Sequence, residues 1–277
     1  MLRTWAWALV SAAVGCASAA PPVDDLEVEA EATPAGWSAV GTGVIYRAMP
    51  GATGERAFLF YGGYTAQLPW VAGWAQGLWD ARLRDLGVKH VYAVQGPRDS
   101  GYGAKEIANS KLARHLLPLV KDRSEPIGIA AHSSGAFVAH ELFGQLATTT
   151  YDPTATTKGR IVYFDLEGGG SGLNAALVGR LAKAYFVSAT DPKIGTSAQN
   201  ISAAKSLAST YAPKGVYLQV DATGSGCNAG ARWCMHDTVV NTRPHNHGMY
   251  DLARDYTDFA PPRAVVTAWV DAAPELR

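Results

Sequence analysis

The sequence predicts an α/β fold, a mostly parallel central sheet flanked by helices on both faces. Two observations predict it. Short apolar runs of strand length alternate with helical patterns along the chain. Those runs are continuously apolar, as strands covered on both faces are. At 277 residues the chain is long enough to bury a substantial core as one domain.

Met1-Leu2-Arg3 carries one positive charge and leads into an apolar run from Trp5 to Gly15. That run is too short to span a bilayer and suits the hydrophobic part of a secretory signal. Two cleavage sites compete. Ala17-Ser18-Ala19 is a site for ordinary release, which makes residues 1–19 the signal. Ala13-Val14-Gly15-Cys16 resembles a bacterial lipobox, in which an acylated Cys16 becomes the mature N-terminus and attaches the protein to a membrane. The chain has three cysteines, and a Cys227–Cys234 disulfide would leave Cys16 as the odd one, which lipidation would use. Residues 20–36 are acidic and proline-bounded and read as a solvated tether. Residues 37–277 follow as the single folded domain.

Within that domain Val44–Arg47 and Ala57–Tyr61 read as strands. Trp70, Val71, Trp74, Leu78, Trp79, Leu83 and Leu86 fall at helical spacing. A strand over Val88–Val94, a helix over Ala104–Val120, a further strand before residue 133 and a helix over Ser134–Leu146 come next. Residues 147–159 are polar and too few for a large lid. Strands over Ile161–Leu166, Ala184–Ala189 and Val216–Val220 follow. A closing helix spans Pro262–Ala273, with proline in its first turn, where a missing N–H costs least. Formal net charge is zero and the pI about 7.1, which gives no electrostatic case for a nucleic-acid partner.

The chemistry centres on Ile127-Gly128-Ile129-Ala130-Ala131-His132-Ser133-Ser134-Gly135-Ala136-Phe137. A short apolar strand enters a small-residue turn with Ser133 at its apex, and a helix leaves at once. This is the nucleophile elbow, Gly-x-Ser-x-Gly, with Ala131 at the first glycine. Alanine is the mildest replacement, although it cannot relieve a positive φ as glycine can. Serine before a helix also serves as a cap. The coincidence of strand, small flanks and helix favours the nucleophile.

The elbow, the strand–helix order and the residues at strand ends resemble the α/β-hydrolase superfamily, as an exported serine esterase or lipase-like member, from about Gly41 to the C-terminus. The resemblance implies a triad in the chain order serine, acid, histidine. Asp191, where the strand from Ala184 runs into a loop, is at the family's usual acid position; Asp165, before a glycine run, is its rival. Of seven histidines, His236, His245 and His247 follow the last strand and suit the base. His236 leads because a Cys227–Cys234 bridge would pin its loop, and an imidazole must be held firmly to move a proton. The oxyanion donors would be the amide of Ser134 and that of Gly63 or Tyr64, in a Tyr61-Gly62-Gly63-Tyr64 loop that has tyrosine in place of the family's histidine. His132 would support the elbow, with its side chain directed away from Ser133.

His236, His245 and His247 with Asp237 also suggest zinc, but their spacings fit no standard ligand pattern. No metal or cofactor is implied. The expected activity is hydrolysis of small-molecule or polymer carboxylic esters through an acyl-enzyme. A peptidase or thioesterase of the same fold, and a non-catalytic binding lipoprotein, are the alternatives. Trp70, Trp74, Trp79 and Trp233 could line a pocket, although core packing suits at least the first three.

Overall fold

Nine strands form one sheet among the residues described by the structure, a computed structural model covering residues 33–97, 102–122, 124–170, 172–192, 195–196, 201–240 and 268–277. The strands are β1 (Ser38–Gly41), β2 (Val44–Ala48), β3 (Arg56–Tyr61), β4 (Val88–Val94), β5 (Ile127–His132), β6 (Ile161–Leu166), β7 (Lys183–Asp191), β8 (Gly195–Thr196) and β9 (Gly215–Asp221). Their order is β1-β2-β4-β3-β5-β6-β7-β8, with β9 also paired to β7. The β4-β3-β5-β6-β7-β9 pairs are parallel; β2 runs antiparallel to β1 and β4, and β8 antiparallel to β7. This is the α/β-hydrolase architecture that the sequence predicts. The expected signal, Cys16 and most of the expected tether lie outside the described residues, as do His245, His247 and the start expected for the closing helix. Among the described residues no helix is long and apolar enough to cross a membrane.

The continuous apolar runs are explained by burial on both faces. In β3, Phe58 and Phe60 enter one core while Leu59 and Tyr61 enter the other, following the two-residue period of a strand. Helix α1 (Leu68–Asp85) covers the first face with Val71, Trp74, Trp79 and Leu83, and Pro69 lies in its first turn. Trp269, in the helical residues 268–271, packs on Trp79 and Phe164 with ring centroids 4.7 Å from each. Helices α2 (Tyr102–Val120) and α3 (Gly135–Leu146) cover the opposite face with Leu112, Leu116, Leu142 and Phe143. Trp74 and Trp79 are therefore core residues, Trp70 is half-buried, and the Trp233 side chain lies outside the description.

Several elements depart from the expectation. β1, the two-residue β8, and helices α4 (Ala175–Arg180) and α5 (Ile201–Thr210) were not foreseen. The residues around His236, expected as a loop, form the short helix α6 (Arg232–Asp237). Residues 147–159 are a succession of turns, organised by the Asp152 carboxylate. It accepts from the Thr156 and Thr157 amides and the Thr157 hydroxyl at 2.8–2.9 Å.

At the N-terminal ends of the parallel strands Glu55 holds the approach to β3 against β4. Its carboxylate accepts from Lys89 Nζ at 2.8 Å and pairs with His90 Nε2 at 2.7 Å, while His90 Nδ1 lies 3.0 Å from the Tyr46 hydroxyl on β2. The Lys89 hydrogen bond, then that of His90, hold the Glu55 carboxyl well below the usual carboxylate range, at about 2. A depressed acid stabilises the fold above its unfolded pKa of 4.5 and loses that contribution as pH falls toward 2. Thermal unfolding of the wild type against Glu55→Gln should therefore show a stability gap at neutral pH that closes between about pH 4.5 and 2.

Candidate active site

The parallel register of β5 and β6 sets the site. Ala131 is paired with Asp165 and His132 with Leu166, so residues 133 and 167 leave the C-terminal edge of the sheet side by side. Both are non-glycine residues in the left-handed region, Ser133 at φ 53° and Glu167 at φ 61°. A left-handed residue with a side chain costs about 1–2 kcal/mol, so each must be held from outside. The Ser133 amide donates to the Leu166 carbonyl at 2.8 Å, and the Glu167 amide donates to the Val187 carbonyl at 2.9 Å. Ala131 is an extended strand residue between Tyr61 and Asp165 and needs no positive φ, so alanine serves there as well as glycine.

The helix after the serine begins where only glycine fits. A Cβ on Gly135 would collide with the Gly62 carbonyl oxygen and lie 2.9 Å from that of Tyr61. The Gly62–Gly63 turn therefore lies directly against the elbow. A Cβ on Gly63 would stand 2.9 Å from His132 Nδ1 and 3.3 Å from Ser133 Cβ. Tyr61 anchors this turn: its ring is buried, and its hydroxyl donates to Asn109 Oδ1 at 3.0 Å on α2. The Gly62 amide is engaged with Val94, whereas the Gly63 and Ser134 amides donate to no backbone carbonyl among the described residues.

Behind the elbow, His132 is buried with Nε2 3.1 Å from the His236 carbonyl oxygen and 3.7 Å from Asp237 Oδ1. The rings of His132 and His236 lie 4.6 Å apart. His236 is likewise buried, on α6, and α6 packs against β7 and β8. Cys234, in the same helix, is bonded to Cys227, which ties α6 to the loop after β9.

The carboxylate facing His236 was not foreseen. Glu167 is buried; Oε1 accepts from the Ala189 amide at 2.5 Å and Oε2 lies 3.6 Å from His236 Nδ1. That is an ion-pair distance, longer than a hydrogen bond, as such contacts often are before substrate binds. Asp165 does not face the histidine. Its two oxygens accept from the Gly168 and Gly170 amides, each at 2.7 Å. Burial pushes its carboxyl up to about 7 against the pull of those glycine amides. Asp191 ends β7 in a buried position, paired with Gly195 of β8. The sequence did carry a signal for Glu167: it is the first residue after β6, as Ser133 is the first after β5.

His132, His236 and Asp237 each bring a ligand atom within 4.8 Å of the others, all buried. Zinc bonds of about 2.0–2.2 Å would set donors roughly 3.3 Å apart, so this trio would have to close inward to hold the ion. Of the zinc set considered from sequence, His236 and Asp237 are thus adjacent, with His132 as a third group.

No protein-family model matches the chain, and none of the curated proteins does. Among solved structures it is similar to a dienelactone hydrolase-like promiscuous phosphotriesterase from metagenomic libraries, at 13% identity over 83% of this chain and 88% of that one, with a TM-score of 0.45. It is also similar to a putative thioesterase from Silicibacter sp., at 14% identity over 67% and 75% of the two chains, TM-score 0.40. A third likeness is to TT1662 from Thermus thermophilus, at 16% identity over 67% and 86%, TM-score 0.38. Likenesses at this level say nothing of activity, which rests on the site itself.

The close packing at Gly135 has a measurable consequence. Gly135→Ala should destabilise the protein by about 1–3 kcal/mol, as overpacking does. Gly144→Ala, in the same helix with nothing within 4 Å of the new carbon, should stabilise by roughly 0.5–1 kcal/mol. Urea unfolding of the two variants checks both signs.

Proposed function

We propose that the chain is a serine hydrolase of carboxylic esters, with Ser133 as nucleophile, His236 as general base and Glu167 as the carboxylate that orients the base. The observation that carries this reading is the left-handed serine at a strand-to-helix turn, with a buried histidine–carboxylate pair beside the preceding residue. The location agrees with it, because open α/β sheets bind ligands beyond the carboxyl ends of their strands.

In this mechanism Ser133 Oγ attacks the ester carbonyl while His236 Nε2 takes its proton. Glu167, beside Nδ1, fixes the tautomer and stabilises the imidazolium that forms. The amides of Ser134 and Gly63 receive the negative charge that develops on the carbonyl oxygen. The same imidazole then protonates the leaving alcohol and activates the water that releases the acyl group. Glu167 replaces Asp191 as the acid in this reading because it is the carboxylate against His236. Export, with Cys16 acylated or the signal cleaved after Ala19, is part of the proposal. The Cys227–Cys234 bond suits an oxidising compartment.

Covalent labelling with a fluorophosphonate tests the reading. The wild type should label and Ser133→Ala should not, while Glu167→Gln and His236→Ala should label at least about 100-fold more slowly. Full-rate labelling of His236→Ala, with loss in His245→Ala or His247→Ala, would move the base and contradict the assignment. The labelled band also reports location: it should partition with membranes and be released by Cys16→Ser if Cys16 is acylated. A mature chain starting at Ala20 would contradict acylation and leave ordinary secretion.

A further inference from the structure

The reading of Glu167 as the orienting acid leaves a question that the glycine run answers. Glu167 is in the left-handed region, within a turn that continues through Gly169 and Gly170, at φ 71° and 69°. Glu167 carries the left-handed penalty and the glycines after it are free to vary, so something must hold this stretch in one shape. Asp165 is placed to do so: it is fully inside the protein, in β6 opposite Ala131, and its carboxylate closes the turn from within. Oδ1 takes the Gly168 amide and Oδ2 the Gly170 amide, both at 2.7 Å, a distance typical of charge-assisted bonds.

The clamped turn touches the nucleophile as well as the acid. A Cβ on Gly168 would stand 2.5 Å from Asp165 Oδ1, 2.7 Å from Ala136 Cβ and 2.9 Å from the Ser133 carbonyl oxygen. Gly168 is thus wedged between the clamp and the elbow, and the preceding Leu166 carbonyl holds the Ser133 amide. We infer that Asp165 is a positioning residue that holds Glu167 against His236, a role that rests on the Ser133–His236–Glu167 reading. Only a carboxylate suits it, since both of its side-chain oxygens accept. Asparagine would turn an NH2 group toward one glycine amide, leaving two donors face to face in a buried site.

The test uses the full chain and hydrolysis of p-nitrophenyl butyrate, with Asp165→Asn and Glu167→Gln made singly and together. Asp165→Asn should lower kcat about 10- to 100-fold, as displacement of a catalytic group by an ångström does. KM should change by less than about twofold. The double variant should be no slower than Glu167→Gln alone, because a clamp has nothing left to position once the carboxylate is gone. Losses that multiply in the double variant would overturn the proposal, as would wild-type kcat in Asp165→Asn alongside an impaired Glu167→Gln. Wild-type kcat in Glu167→Gln would instead overturn the acid–base reading itself, and the clamp with it. Should Asp165→Asn fail to fold, Asp165→Ser, which removes the two-point acceptor and leaves the contacts of Gly168 with the elbow alone, must meet the same three criteria.

Discussion

Two left-handed side-chain-bearing residues, Ser133 and Glu167, stand next to each other at the end of two parallel strands, and the site depends on keeping them there. Together they cost the fold about 2–4 kcal/mol, a substantial fraction of the stability of a typical domain. Neither is held by its own side chain alone. The Leu166 carbonyl takes the Ser133 amide, the Val187 carbonyl takes the Glu167 amide, and the Ala189 amide binds the Glu167 carboxylate. Three adjacent parallel strands therefore supply the restraint, and the restraint exists only when β5, β6 and β7 are in register.

Glycine placement follows from the same requirement. The turn after β3 must approach the elbow closely, and α3 must begin against the backbone of Tyr61 and Gly62. Side chains at Gly63 or Gly135 would push these segments apart. On the far side of the elbow, His132 joins the serine-bearing strand to α6 by contacts with the His236 carbonyl and Asp237. The disulfide then fastens α6 to the loop following β9. Each group proposed to act is thus carried on a short segment leaving the sheet edge, fixed by neighbours distant in sequence.

That distance explains what could be read from the chain alone. Strands β3 to β7 and helices α1 to α3 were legible because each buries a long apolar run or an apolar stripe, a property local to the segment. The two-residue β8 and the alanine- and serine-rich α5 have no such signature. Helix α6 has six residues and no side-chain cap at Ala231, so nothing in its sequence separates it from a loop. The elbow was legible from its small flanks. The His236–Glu167 pair was not: a search for aspartates at strand ends finds Asp165 and Asp191, and Glu167 stands out only by its place, first after β6 as Ser133 is first after β5. Asp165 and Glu167 are two residues apart ahead of one glycine run, and only their three-dimensional contacts separate the carboxylate bound by glycine amides from the one beside His236.

The most direct test of the proposed triad is a crystal structure of the protein treated with an alkyl phosphonate. Phosphorus should be bonded to Ser133 Oγ, with the phosphonyl oxygen accepting from the Gly63 and Ser134 amides. His236 should face the adduct through Nε2 and Glu167 through Nδ1. An adduct faced by His245 or His247, with Asp191 behind it, would contradict the Ser133–His236–Glu167 triad and leave His236 and Glu167 in a supporting role.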